Sequence, residues 1–545
     1  MAADVQRERR LGDGASMSDY RSRLAGGATA VADAAVFPRG CVASPHHLAS
    51  SAGAAVLARG GNAIDAAVAT NLVLGVVMPF ACGYGRDLFA IVWDGGVHAF
   101  EGCGRTPADA SIEGVRERTG ADLMPAFGPH AVSVPGAVDG WFSLLERWGT
   151  QTFGTLAAEA LHYAEKGFEL SANALRSLTN ARALYADFPD WQAAYGNAPE
   201  QGVLVQPHLA RTIGALAEDG RGAYYRGPIG EAIAGQVQAL GGVMNRDDLA
   251  AHRGQWVTPL WQGYRDVDVL EMPPPTQGVT ALQALAIVEA TGDLPAPGVD
   301  RHHLLIEASK LALSERGEHV GDPDHMTLTP DELLSAGRIA DLAARIDPGK
   351  AGTPAHARPA LGGTIYLCAA DSDGLMVSLI QSNFMGFGSG VTVPGWGINL
   401  QNRAGYMRLE HGAPDSYGPA RRPMHTLIPG MVLRDGRPSL VFGNMGGDSQ
   451  AQFHLQLLTK IIDDHEDIQR AISSPRWTVN ATDWSVALEG GFDPDLATSL
   501  RARGHTVSET EGLSSLFGWA QAIQVTPHGY RGATDPRPDG AVIGH

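Results

Sequence analysis

A chain of 545 residues with 44% apolar side chains is long enough to bury a large core, and its 59 acidic against 41 basic residues leave a formal charge of −18. That balance repels nucleic acid and anionic membranes unless a basic patch overrides it, and the sequence has none, so neither is expected as a partner. No window reaches the roughly 18 uninterrupted apolar residues of a membrane-spanning helix; the nearest, 63–78, is broken by Asp65 and Asn71.

Residues 1–40 are polar, Arg- and Gly-rich and lack the apolar stretch of about 7 to 15 residues of a secretory signal, which predicts a disordered leader and a cytoplasmic protein. Structure is expected from Cys41. Over 47–77, apolar residues recur at helical spacing on both sides of Gly60 and Gly61, predicting two helices joined by a tight turn. LFAIVWDGGVHAF (88–100) reads as a hairpin around Asp94-Gly95-Gly96. Ala- and Leu-rich patterns make 137–260 and 300–346 helical, and DPGKAGTPAHARPALGG (347–363) reads as an exposed, mobile linker. TIYLCAADSDGLMVSLIQS then gives two strands around an acidic turn, so a loop meets a buried strand at Thr364.

Cys41, Cys82, Cys103 and Cys368 fit no metal spacing and are expected reduced and buried. HExxH is absent, and His46, His47, His302 and His303 have no matching carboxylate or thiol spacing, so neither a metal nor an organic cofactor is expected.

A threonine at such a junction is ordinary until its surroundings are read. After Gly363-Thr364 come FMGFGSGVTVPGWGINLQNR and RRPMHTLIPGMVLRDGRPSLVFGNMGGD; before it come GGNAIDAAVA, SVPGAVDGW, AYYRG, PPPTQG and HLLIEASKLALSERGEHVGDPD. The series resembles the γ-glutamyltransferase family across most of the chain. The resemblance implies an α+β, four-layer αββα N-terminal-nucleophile hydrolase with a large helical portion. It further implies one precursor cut between Gly363 and Thr364 into a large subunit (41–363 behind the leader) and a small one (364–545), both parts of one folded unit. A dimer of such heterodimers stays open.

The chemistry argues for the same position. A hydroxyl needs a base near pH 7, and the α-amine freed by cutting before Thr364, with an ordinary pKa of about 7.7 to 8, belongs to the same residue. Gly363, without a Cβ, permits the bent backbone that attack on its carbonyl requires. By the resemblance, Gly446 and Gly447 supply backbone N–H groups to the oxyanion, Ser382 stands beside the nucleophile, and His425 and Thr426 lie near the substrate carboxylate, His425 in place of a hydroxyl residue.

The groups that hold a γ-glutamyl head are changed: Phe384 replaces an asparagine, Arg403 a glutamine and Tyr406 an aspartate, while Arg105 lies close to the expected arginine. An ammonium beside an unbalanced Arg403 is repelled, so the sequence predicts a small amide or acyl substrate ending in a carboxylate. The pattern looks like the oxamate amidohydrolase branch. A conventional γ-glutamyltransferase, a carbon–carbon or acyl bond-cleaving relative in secondary metabolism and an unprocessed, non-enzymatic relative are the alternatives.

Overall fold

The computed structural model describes residues 33–355 and 362–545. Near the start of the chain, α1 (His47–Ala58) and α2 (Ala63–Val77) form the expected helical pair. Asn62 caps α2: its side chain accepts from Asp65 N at 2.9 Å while the Asp65 carboxylate accepts from Asn62 N at 3.1 Å. Every residue of α2 is buried, which places this helix inside the molecule.

Two seven-stranded sheets, each antiparallel at every pairing, form the centre. In chain order their strands are β1 (Ala35–Phe37), β2 (Cys41–Ser44), β3 (Asp87–Trp93), β4 (Val97–Gly102), β5 (Gln255–Val257), β6 (Leu260–Tyr264), β7 (Val267–Glu271), β8 (Gly363–Ala370), β9 (Met376–Phe384), β10 (Gly430–Arg434), β11 (Arg437–Asn444), β12 (Ala520–Thr526), β13 (Gly529–Thr534) and β14 (Ala541–Gly544). One sheet runs β14-β2-β8-β9-β3-β4-β5, the other β1-β13-β12-β11-β10-β7-β6.

Strand alternation assigns the faces. Along β8, Ile365, Leu367 and Ala369 join the core beneath α1 and α2, whereas Tyr366, Cys368 and Ala370 join the core between the sheets. Helices α3 (Gly278–Ala290), α4 (Val299–His319) and α5 (Ser449–Ile462) cover the second sheet and enclose a third core. The layers are therefore helix, sheet, sheet, helix, as expected.

Three local expectations need correction. Ala35–Phe37 pairs with β13, so order begins before Cys41, and residues 1–32 of the expected leader lie outside the described residues. The helical stretch ends at Ala251; β5 and β6 follow in different sheets, carrying the chain from one sheet to the other. The described part of the linker is pinned by buried groups: Gly352 O accepts from Lys310 Nζ at 3.1 Å and Pro354 O from Trp484 Nε1 at 3.0 Å. Residues 356–361 lie outside the described residues.

Candidate active site

Thr364 is fully buried near the start of β8, on the face that looks between the sheets. Cross-strand register sets Ser382 of β9 opposite it and Asp87 of β3 opposite Ser382, giving one row across three neighbouring strands. A shift of register between Gly363 and Thr364 brings Gly363 opposite Phe384 and leaves Asn383 of β9 as the extra residue of a bulge. Thr364 Oγ1 donates to Ser382 Oγ at 3.0 Å, and Ser382 Oγ donates to the Gly363 carbonyl at 2.6 Å. The same serine oxygen faces Phe384 N at 2.9 Å and Arg403 Nη2 at 3.3 Å. Three donors meet two lone pairs, so the serine hydrogen stays on Gly363 O.

Arg403 and Thr426 are brought to this centre. The buried guanidinium has Nη1 at 3.5 Å from Thr426 Oγ1 and packs over the Phe384 ring at 4.4 Å. Its Nε is buried without a partner among the described residues, a donor left unmatched inside the protein. Burial pulls Arg403 down to about 10 against the field of Asp87, which still leaves it charged at neutral pH. Phe384 holds φ at 74°, a left-handed conformation unfavourable for a bulky side chain. Tyr406 meets the Phe384 ring edge-on at 6.0 Å and hydrogen-bonds Arg316.

His425 is present, but both ring nitrogens are engaged by the protein. Nδ1 lies 2.7 Å from Pro423 O and Nε2 lies 2.9 Å from Asp87 Oδ2, so the ring offers no free nitrogen to a ligand. Burial and Arg403 lower its pKa, and the Asp87 bond opposes them. Asp87 also accepts from Gly104 N, Gly136 N and Gln401 Nε2, at 3.3, 3.1 and 2.8 Å. Neither Asp87 nor Gln401 is conspicuous in the sequence; the one cue to Asp87 is a carboxylate opening the otherwise apolar run DLFAIVW.

Gly446 and Gly447 have φ of 141° and 57°, and neither N–H donates to another described residue. Gln277, also missed in the sequence, holds this turn: its Nε2 donates to Gly447 O at 2.9 Å and Thr426 O at 3.0 Å, and its Oε1 accepts from Arg316 Nη1 at 2.7 Å. Arg316 in turn pairs with Asp448. Gly363, Gly446, Met385, Met445 and Phe517 border an open groove of about 660 Å³.

Arg105 is not brought to Thr364. It donates to Ala420 O at 2.8 Å, sits 3.7 Å from Asp324, and lines a separate cavity of about 520 Å³ with Cys103, His252 and Arg422. Chain proximity misled here, because Arg105 lies beyond the end of β4 and escapes its alternation. His303 converges with Glu307 and His505, their ligand atoms within 4.8 Å of one another. Lys310 Nζ already donates to Glu307 at 2.8 Å and faces His505 Nδ1 at 3.3 Å, so an ammonium occupies the place a cation would take.

A glycine carbonyl with two hydroxyls in sequence upon it, and a glycine turn alongside, are suited to acyl transfer. A family model described as Gamma-glutamyltranspeptidase matches residues 49–545. The chain is 35% identical to the Glutathione hydrolase-like YwrD proenzyme of Bacillus subtilis (strain 168), over 92% of this chain and 98% of that protein. It is also 35% identical to the Oxamate amidohydrolase proenzyme of Klebsiella pneumoniae, over 94% and 99%. Among solved structures, cephalosporin acylase from Bacillus halodurans matches with a TM-score of 0.90 at 35% identity, covering 95% of this chain and 97% of that one. With its four layers and its acyl-transfer geometry, the chain belongs to the gamma-glutamyltranspeptidase family of N-terminal-nucleophile hydrolases and acyltransferases.

Proposed function

We propose that this chain cuts itself between Gly363 and Thr364 and then, with Thr364 as N-terminal nucleophile, hydrolyses a small amide whose acyl half ends in a carboxylate. The observation that carries the reading is the hydrogen-bond sequence from Thr364 Oγ1 to Ser382 Oγ to Gly363 O, at 3.0 and 2.6 Å. In the precursor, Thr364 Oγ attacks the Gly363 carbonyl carbon while the Ser382 hydroxyl steadies the oxygen. The C–N bond breaks, the hydroxyl proton ends on the Thr364 nitrogen, and water hydrolyses the ester to a Gly363 carboxylate and a free threonine.

The freed amine then serves as base for the same hydroxyl. Attack on the substrate carbonyl places negative charge on oxygen, to which the Gly446 and Gly447 N–H groups donate; the amine half leaves with a proton, and water resolves the acyl-enzyme. Arg403, with its unmatched Nε, anchors the acyl carboxylate. Relatives named for oxamate amidohydrolase and acylase activity support this reaction type.

A γ-glutamyl head brings an α-ammonium, and the positions expected to receive it hold Phe384, Arg403 and Tyr406. At an effective dielectric of about 20, an ammonium about 4 Å from an unbalanced guanidinium is opposed by on the order of 4 kcal/mol. Mass spectrometry and denaturing gels should give two chains from the wild type and one of 57.3 kDa from Thr364→Ala. A panel of oxamate, glutaryl amides and a γ-glutamyl anilide should be hydrolysed in favour of the first two. An uncut chain that still turns over substrate, or brisk turnover confined to the γ-glutamyl compound, would sink the reading.

A further inference from the structure

The pair Asp87 and His425 lies beside Arg403 without belonging to the acyl-transfer chemistry. His425 Nδ1 faces a backbone carbonyl, which can only accept, at 2.7 Å, and Nε2 faces a carboxylate oxygen at 2.9 Å. Both nitrogens therefore stand against acceptors. A neutral imidazole carries one N–H and can satisfy only one of these two acceptors, leaving the other nitrogen with its lone pair toward an oxygen. A second proton, shared between Nε2 and Asp87 Oδ2, satisfies both.

Asp87 is fully buried and each of its oxygens already meets two donors: Gly104 N and Gly136 N at Oδ1, Gln401 Nε2 and His425 Nε2 at Oδ2. It has nothing left to offer a substrate ammonium. Gln401 Oε1 accepts from Arg403 N at 3.2 Å, so the same carboxylate also steadies the backbone that carries the guanidinium. The charged groups facing His425 are Asp87 on β3 and Arg403; Phe89 covers the ring edge-on at 5.0 Å. Behind Asp87, the Cys103 thiol is held neutral by burial and by Glu101 and Asp87.

We propose that Asp87 and His425 form a specificity-setting pair: one proton shared between them cancels their charges and leaves Arg403 as the single net charge of the acyl pocket. The pocket then accepts an acyl group ending in one carboxylate and gives an α-ammonium no partner. When the proton is lost, Asp87 offsets Arg403 and the anion is held less well. Both residues act through Arg403 and are positioning residues. The inference rests on Arg403 as the acyl-side anchor, which places it downstream of the proposed function.

The sign of the effect separates this role from a structural one. Asp87→Asn removes the carboxylate, so the pocket stays cationic at every pH; KM for a carboxylate-bearing amide should be low and flat with pH. His425→Gln keeps a donor toward Asp87 but cannot hold the shared proton; KM should be high and flat. The wild type should pass between the two, with KM rising with pH, and the variants should differ by roughly tenfold, a modest fraction of what a unit charge at this range exerts. Displacements of KM in one direction in both variants would overturn the proposal, as would a wild-type pH profile retained in Asp87→Asn.

Calorimetry of the wild type with pyruvate, a carboxylate of oxamate's shape that has no amide to hydrolyse, in buffers of differing ionisation enthalpy, tests the proposal without substitutions. Uptake approaching one proton per site is expected on the alkaline side of the transition, and zero uptake from pH 5 to 9 overturns the pair. Gels and turnover on the same preparation keep the two ideas apart: an uncut, inactive wild type refutes the proposed function, whereas a processed, active one with no proton uptake refutes only this inference.

Discussion

Ser382 is the most heavily used side chain of the centre. It receives the Thr364 hydroxyl and holds the Gly363 carbonyl, so under the proposed function its loss should affect both the cut and later turnover. Ser382→Ala should slow each by about 10²-fold, the usual scale for a positioned proton-transfer or oxyanion group, and Ser382→Thr should restore most of both. A gel time course of processing and a turnover assay read the two effects; unimpaired cutting in Ser382→Ala would remove the serine from the first reaction. The adjacency of Thr364 and Ser382 was legible because a long series of strings held them in register. Asp87 was not, because one carboxylate at the head of an apolar strand becomes informative only once β3 is paired with β9. Arg105 failed for the opposite reason, since nearness in the chain says nothing about which cavity a side chain enters.

Elements with strong local signals were read correctly: the helical pair α1 and α2 about Gly60-Gly61, the hairpin of β3 and β4, and the hairpin of β8 and β9 about its acidic turn. β5 was missed because it is three residues long and its partner β4 lies far away in the chain, whereas β6 pairs with β7 directly after it and was passed over at the end of a stretch read as helical. Under the proposed function, the glycine turn before α5 acts through its backbone. At Gly446, φ of 141° is closed to a side chain, and an added Cβ would also lie 3.1 Å from the Phe453 ring. Gly446→Ala should therefore turn the backbone and misdirect its N–H, lowering kcat about 10²- to 10³-fold while the fold persists. A kcat within a few-fold of the wild type, with the melting temperature unchanged, would show that the turn does not serve the oxyanion.

At the scale of the molecule, the two stacked sheets between helices were expected from family resemblance, since strand periodicity alone cannot choose among layered folds. The strand order has its own consequence. In the sheet that holds Thr364, β8 is hydrogen-bonded to β2 on one side and β9 on the other, and β3 follows β9. Under the proposed cut, strands from before and after residue 363 are thus interleaved within one sheet. A precursor unfolded in denaturant can rebuild that interleaving as a unimolecular event, whereas two separated chains must first find each other and thread their strands in turn. Thr364→Ala diluted from denaturant should regain its fold with a yield nearly independent of concentration, measured by circular dichroism and size exclusion. The cut wild type should recover poorly, with a yield that falls on dilution. Once severed, the backbone records that folding took place only once, and the enzyme's lifetime is then set by how slowly it comes apart.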